Sequence, residues 1–305
     1  FHANAWGFPY AAALVGAKLV LPGPHLDGAS LYQLLESEKV TLTAGVPTVW
    51  NNLMQYLQAK GHRLHHLKRL GVGGAACPKP ILSYFEDIQK VTVLPGWGMT
   101  ETSPVAALTL PKPRQAGLLG QARRDWQARS GRTLFGVDLE IVDDQGRPLP
   151  HDGHTFGHLM VKGNWVCNGY YQELKSPLQK GWFPSGDVAV IDGEGFMQIT
   201  DRAKDMIKSG GEWISSIELE QAAATHPGVL EAAVIGIQDQ HWGERPLLLA
   251  VKKPGQNVTA DELKSHLEQR IARWWMPDRI DFVDSLPHTA TGKLNKAALR
   301  AQRGL

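Results

Sequence analysis

The sequence runs to 305 residues, 43% hydrophobic and 20% charged, which excludes a disordered or collagen-like chain and leaves material for a sizeable core. Thirty-two basic against 30 acidic residues give a formal charge of +2, so no strong field of one sign argues for a nucleic-acid partner. Two distant cysteines, Cys77 and Cys167, make neither a disulfide framework nor a CxxC site, which predicts a reducing, cytoplasmic setting. The most apolar stretch, 8–21, is broken by Pro9, Gly16 and Lys18 and is too short for a transmembrane segment. No signal peptide is visible, and an opening at Phe1, inside what reads as a strand, predicts missing N-terminal sequence.

In chain order, Ser30 is placed to cap a helix bearing Leu31, Leu34 and Leu35 on one face. Val40–Thr43 reads as a strand, Thr48 as the cap of a helix with Leu53 and Leu57, and Leu67–Val72 as a short strand. Pro80–Gln89 reads as a helix with Ile81, Phe85 and Ile88 in register, and Val91–Leu94 as a buried strand. Alternating helix and strand predict an α/β fold with a doubly wound parallel sheet over 1–132. Over 133–202 the texture turns to short strands, 138–142, 159–161, 188–191 and 196–199, separated by Asp144-Gln-Gly146 and Asp192-Gly-Glu-Gly195 turns. That predicts a small β-barrel-like subdomain. Residues 203–305 read as a small α+β domain: capping boxes at Ser215/Glu218 and Thr259/Glu262, strands at 232–237 and 247–251, and a stripe of Leu263, Leu267 and Ile271.

Two motifs fail on inspection. Gly71-Val-Gly73-Gly-Ala-Ala76 mimics a dinucleotide fingerprint, but Val91 stands near where the ribose acid belongs. Gly292-Lys293 ends like a P-loop, yet Pro287 and Leu294 occupy positions needing Gly and Ser/Thr. His62, His65 and His66 have no carboxylate or thiolate at ligand spacing and read as a solvated helix end.

Other segments carry chemistry. Gly96-Trp-Gly-Met-Thr-Glu101 follows a buried strand, the place where open α/β sheets bind ligands. Thr100 offers a hydroxyl to a phosphate and Glu101 a hard oxygen to Mg²⁺; a helix cap at Thr100, with Ser103 beyond, explains the segment equally well. Asp187, after a Ser-Gly turn, can accept two hydrogen bonds from a ribose diol or can serve only the turn. The run from Asp201 to Glu212 fits a solvated linker or a hinge bringing cations to phosphates. Lys293, behind Gly292, is a point charge suited to developing phosphoryl and carboxylate charge.

The order Phe1-His2, Gly73-Gly-Ala75, Trp97-Gly-Met-Thr-Glu101, Phe183-Pro-Ser-Gly-Asp187, Arg202 to Gly211 and Thr291-Gly-Lys293 resembles the adenylate-forming superfamily over essentially the whole chain. The Phe1–Tyr10, Lys18–Pro24 and Ile207–Ser215 stretches look most like its medium- or long-chain fatty acyl-CoA synthetase branch. The resemblance implies a fatty acid–CoA ligase, in which carboxylate and Mg·ATP give acyl-AMP and pyrophosphate, and coenzyme A then takes the acyl group. It implies that Gly73, Gly74 and Ala75 line the adenine and acyl pocket. Trp97, Gly98, Met99 and Ile199 would also meet the nucleotide, Thr100 the α-phosphate and Glu101 the Mg²⁺. Asp187 and Arg202 would hold the ribose, and Lys293 would bridge carboxylate and α-phosphate. Lys204 stands at the hinge; Lys208, Gly210, Gly211 and Trp213 fall to coenzyme A, and His2, Trp6, Val46, Gly73 and Met99 to the acyl pocket. With no Asp or Glu near that pocket, an amino-acid substrate is disfavoured.

The family's Ser/Thr/Gly-rich phosphate loop is absent, so a fragment incomplete for catalysis is expected, and the resemblance allows a homodimer through the missing N-terminal part. Gly157-His158-Leu159 replaces the family's Gly-Glu-Leu and reads as variation in a structural strand. Alternatives are an aryl or other carboxylate ligase, one delivering acyl to a carrier protein, and a truncated noncatalytic AMP or acyl-CoA binder.

Overall fold

The computed structural model of the chain describes residues 3–210, 212–289 and 293–304. His2 and Gly211, assigned above to the acyl and coenzyme A sites, lie outside the described residues. The chain divides into two compact units, Phe1–Ser185 with Ala189–Ile199 and Gly186–Val188 with Thr200–Leu305.

The first unit opens on a helix where a strand is expected. After an irregular turn with Asn4, Ala5 and Trp6 at positive φ comes α1, Phe8–Val15. Pro9 sits in its first turn, where a missing N–H is harmless, and Gly16 closes it in the left-handed conformation at φ 66. Helix α2, Gly28–Ser37, is capped by Asp27, whose Oδ1 accepts from the Ala29 and Ser30 N–H groups at 3.1 and 3.0 Å. The expected cap, Ser30, falls one turn inside. Strand β1 (Leu42–Gly45) leads to α3 (Pro47–Lys60), which starts on Pro47 rather than behind Thr48 and buries Trp50, Leu53 and Leu57. Strand β2 (Arg69–Val72) follows. The helix expected over 80–89 is α4 (Lys79–Ser83) running into a π-helical turn, Tyr84–Ile88. The wider turn shifts the register, so Tyr84 and Phe85 are buried while Ile88 is 46% exposed.

Strand β3 (Thr92–Gly98) continues through the Gly-Trp-Gly segment instead of ending at Leu94. After it come β4 (Val105–Leu108), helix α5 (Gly120–Gln127) and β5 (Arg132–Thr133). The sheet order is β1-β2-β3-β4-β5, with β1, β2 and β3 parallel and β4 and β5 antiparallel. Its parallel strands therefore end together, at Gly45, Val72 and the Gly96–Gly98 segment. Strands β6 (Val137–Val142), β7 (Gly157–Gly163), β8 (Phe183–Ile191) and β9 (Met197–Arg202) form a four-stranded sheet in that order. Among the described residues it is open, so the barrel-like expectation gives way to a plain sheet. His158 lies within β7 and its Nε2 is 2.8 Å from Asp144 Oδ1, which supports reading its place as structural. The chain passes briefly into the second unit at Gly186–Val188 and stays there after Ile199.

In the second unit the hairpin β10 (Ile207–Ser209) and β11 (Glu212–Ile214) leads into α6 (Ser216–Ala224), capped by Ser215, whose Oγ accepts from the Glu218 N–H at 3.2 Å. Long antiparallel strands β12 (Val229–Asp239) and β13 (Gly243–Lys252) follow. Helix α7 (Ala260–Glu268) carries the full Thr259/Glu262 capping box and buries Leu263 and Leu267. Strand β14 (Arg279–Phe282) pairs with β13 in parallel, and α8 (Lys296–Gln302) ends the unit. No described helix is long and apolar enough to cross a membrane.

Candidate active site

In the first unit, the glycines at the strand ends are dictated by close approach. A Cβ on Gly45 would meet the Trp50 ring at 2.8 Å, and one on Gly71 the Ala44 Cβ at 2.9 Å. Trp50 Nε1 donates to the Gly45 and Gly71 carbonyls at 3.2 and 3.1 Å, stitching β1 to β2 where they finish. Gly73 N–H donates to Gly45 O at 3.2 Å, so Gly73 lies beside the residue preceding half-buried Val46. A Cβ on Gly73 would come within 3.1 Å of Trp6 Cη2, so the indole packs closely against this glycine. Gly74, at φ 76, turns the chain away and leaves Ala75 exposed.

The Gly96–Glu101 segment is set by an equally close approach: a Cβ on Gly98 would collide with the Pro104 carbonyl, and β3 bulges between Trp97 and Gly98. Half-buried Trp97 and Met99 pack on a core of Ala106, Val137, Val161 and Phe183. Ile199 packs half-buried among Ala107, Ile141 and Leu159. A 3₁₀ turn, Thr100–Thr102, then presents Thr100 to solvent and Glu101 half-exposed, fixed by Thr102 Oγ1, which accepts from Met99 N–H at 3.0 Å. Tyr170 O–H donates to Glu101 Oε1 at 3.0 Å, and the Cys167 N–H to Glu101 O at 2.8 Å. Partial desolvation, then the bond to Glu101, push the Tyr170 phenol up to about 12, so it remains a donor at neutral pH. One carboxylate beside an exposed hydroxyl fits a Mg²⁺ ion, which keeps several waters and shares its remaining positions with substrate phosphates. Among the described residues no group of three or more His, Cys, Asp or Glu forms a metal cage.

In the second unit Asp187 and Arg202 meet. Arg202 Nε lies 2.9 Å from Asp187 Oδ1; the carboxylate is almost wholly buried, the guanidinium 48% exposed. Lys293 is within electrostatic reach of both. Burial first, then the Arg202 charge, lower the pKa of its ammonium, and Asp187 partly opposes them. The Lys293 backbone closes on Thr289, with Thr289 N–H donating to Lys293 O at 2.7 Å.

Buried polar residues missed from the sequence stand behind this trio. Asp201 accepts from the Arg202 N–H at 2.7 Å and, through Oδ2, from the N–H and hydroxyl of Ser216. Ser216 is bonded by Lys296 Nζ, which also pairs with Glu220 Oε1 at 2.7 Å. Burial is the largest influence on the two acids and raises both; the carboxylates outweigh burial at Lys296 and raise it. Asp201 ends a strand while Glu220 and Lys296 sit on two separate helices, so nothing in the local sequence pattern marks them as partners. Nearby, Lys204 is exposed in the turn after β9, and its carbonyl accepts from Arg300 at 3.4 Å. On the β10–β11 hairpin Lys208 Nζ sits 4.3 Å over the Trp213 ring, and Gly210, at φ 60, leaves no room for a Cβ, which would lie 2.8 Å from Trp242.

Residues 1–171 match the AMP-binding enzyme family and 218–293 the AMP-binding enzyme C-terminal domain. The chain belongs to the AMP-binding enzyme family. Over 305 residues it is 48% identical to a medium-chain-fatty-acid–CoA ligase of Ectopseudomonas oleovorans, covering 100% of this chain and 56% of that protein. It is 48% identical over 303 residues to a 3-methylmercaptopropionyl-CoA ligase of Ruegeria pomeroyi, covering 99% of this chain and 56% of that protein. Among solved structures, o-succinylbenzoate CoA synthetase of Bacillus subtilis, in complex with its acyl-adenylate intermediate, superposes with a TM-score of 0.82 at 27% identity, covering 98% of this chain and 58% of that one. The chain thus spans little more than half the length of the curated relatives it matches.

Proposed function

We propose that this member of the AMP-binding enzyme family works in an AMP-forming fatty acid–CoA ligase. The observation that carries the reading is the trio in the second unit: a buried carboxylate pinned by a half-exposed guanidinium, with a desolvated lysine within electrostatic reach of both. A buried acceptor of this kind suits the two hydroxyls of a ribose, and the paired cations suit the charge that develops on an α-phosphate. Attack of a substrate carboxylate oxygen on the α-phosphorus expels pyrophosphate and leaves acyl-AMP. The coenzyme A sulfur then attacks the acyl carbon and AMP departs. No protein nucleophile is needed, so positioning and charge carry the rate.

Within that scheme Asp187 holds the ribose with Arg202 beside it. Lys293 bridges carboxylate and α-phosphate, Thr100 meets the α-phosphate, and Glu101 holds Mg²⁺, which would neutralise phosphate charge. Gly73, Gly74, Ala75, Trp97, Gly98, Met99 and Ile199 are assigned to the nucleotide. The Lys208–Trp213 pair and Gly210 are assigned to coenzyme A, where a cation stacked on an aromatic ring suits a phosphate-bearing ligand. Lys204 serves as the hinge between 1–202 and 203–305, and residues 133–202 form the β-rich part of the larger domain. Trp6 against Gly73 supports an aliphatic chain in an apolar slot.

A second reading is a short or thioether acid, favoured by the 48% identity to a 3-methylmercaptopropionyl-CoA ligase. A panel of straight-chain, thioether and aryl acids, assayed by pyrophosphate release from the full-length protein with and without coenzyme A, separates the two. Release peaking on medium-chain acids is expected; a peak on the thioether acid establishes the second reading, and silence on every acid overturns both.

A further inference from the structure

We propose that Tyr170 is a positioning residue for the Glu101 carboxylate, fixing it for a phosphate-bound divalent cation; this rests on the assignment of Glu101 above. Three hydrogen bonds tie the segment 165–170 to the 100–103 turn. Ser103 Oγ donates to Trp165 O at 2.8 Å, Cys167 N–H to Glu101 O at 2.8 Å, and Tyr170 O–H to Glu101 Oε1 at 3.0 Å. The first two join the segment to the turn's Ser103 hydroxyl and Glu101 carbonyl, and Trp165 is further seated on Gly136, where a Cβ would lie 2.7 Å from its ring. The segment is therefore held without the phenol. Tyr170 is itself 42% exposed, and the hydrogen bond of its hydroxyl goes to Glu101 Oε1, so the phenol restrains the Glu101 side chain. A glutamate on an exposed turn otherwise samples many rotamers, and ordering it on metal binding costs free energy. Donation to one oxygen leaves the second to serve as ligand, and Mg²⁺ tolerates little departure from octahedral geometry. Partners that orient a ligating carboxylate typically matter about 10–100-fold in metal affinity.

The test is Mn²⁺ binding, read by electron paramagnetic resonance, to the full-length protein saturated with α,β-methylene ATP. Tyr170→Phe, which removes one oxygen from an exposed ring, and Glu101→Gln are compared with wild type. We expect Glu101→Gln to abolish tight binding and Tyr170→Phe to weaken it by about tenfold or more. Acyl-AMP formation by Tyr170→Phe should need more Mg²⁺ for half-maximal rate and recover near wild-type turnover at saturation. Wild-type Mn²⁺ affinity in Tyr170→Phe with loss in Glu101→Gln overturns the positioning role and leaves Glu101 as ligand. Wild-type affinity in Glu101→Gln overturns that assignment, and the role of Tyr170 with it.

Discussion

Arg202 Nε stands 2.9 Å from Asp187 Oδ1, and the pair joins residues 15 positions apart into one polar face within electrostatic reach of Lys293. The two groups differ physically. Asp187 is buried and fixed by Arg202, as the proposed ribose acceptor requires; Lys293 is set by a short backbone closure on Thr289, and its proposed role depends on being protonated.

Replacing Lys293 by Ala should slow acyl-AMP formation by orders of magnitude, since one preorganised charge aimed at a developing oxyanion is worth about 10²–10³ in rate. Thioester formation from supplied acyl-AMP should hardly change if, as proposed, the lysine serves the first half-reaction alone. Single-turnover assays of each half-reaction decide it, and equal loss in both would remove the assignment.

The same lysine gives a pH prediction. Its pKa is lowered by burial and by Arg202, so the ammonium is lost at a lower pH than for an ordinary lysine. Adenylation should therefore fall on the alkaline side, as pH rises through that depressed value. Lys293→Arg, charged throughout, should show a lower maximum but no such alkaline limb. A pH–rate profile unchanged in the arginine variant would assign the limb to another group.

Lys296 is a structural counterpart. Replacing it by Met leaves Glu220 and Asp201 buried without their cation, which typically costs about 3–5 kcal/mol. Denaturant unfolding measures the loss, and pairing the change with Glu220→Gln should recover part of it. Near-wild-type stability in the single variant would show that water reaches the cluster.

Trp6 should set acyl length. Its ring lies where a Cβ on Gly73 would sit 3.1 Å away, so Trp6→Ala opens space against the strand ends. Relative kcat/KM should move toward longer acids, by about 10-fold or more per methylene accommodated. A uniform fall across all chain lengths would make Trp6 a core residue only.

The parts of the fold legible in the sequence were those governed by local periodicity: the β-α alternation around Leu53, Leu57 and Leu70, and the Thr259/Glu262 capping box, which forms as expected. Departures arose where a non-local or unusual backbone choice won. A π-turn rotated Ile88 to solvent, Asp27 outcompeted Ser30 as a cap, and the residues after Phe8 became a helix once Gly7 and Gly16 could bracket it. In the site, Asp187, Arg202 and Lys293 carried motif signals, and the structure draws them together. Tyr170 and Lys296 carried none, because their partners Glu101 and Glu220 lie 69 and 76 positions away and only folding joins them.

In the proposed reaction a carboxylate oxygen of the substrate attacks the α-phosphorus. Supplying the full-length protein with ATP, coenzyme A and a medium-chain acid carrying ¹⁸O in both carboxyl oxygens tests it directly, by mass spectrometry of the nucleotide product. AMP bearing one ¹⁸O atom per thioester formed is the expected result. Unlabelled AMP, or ADP in its place, would contradict it.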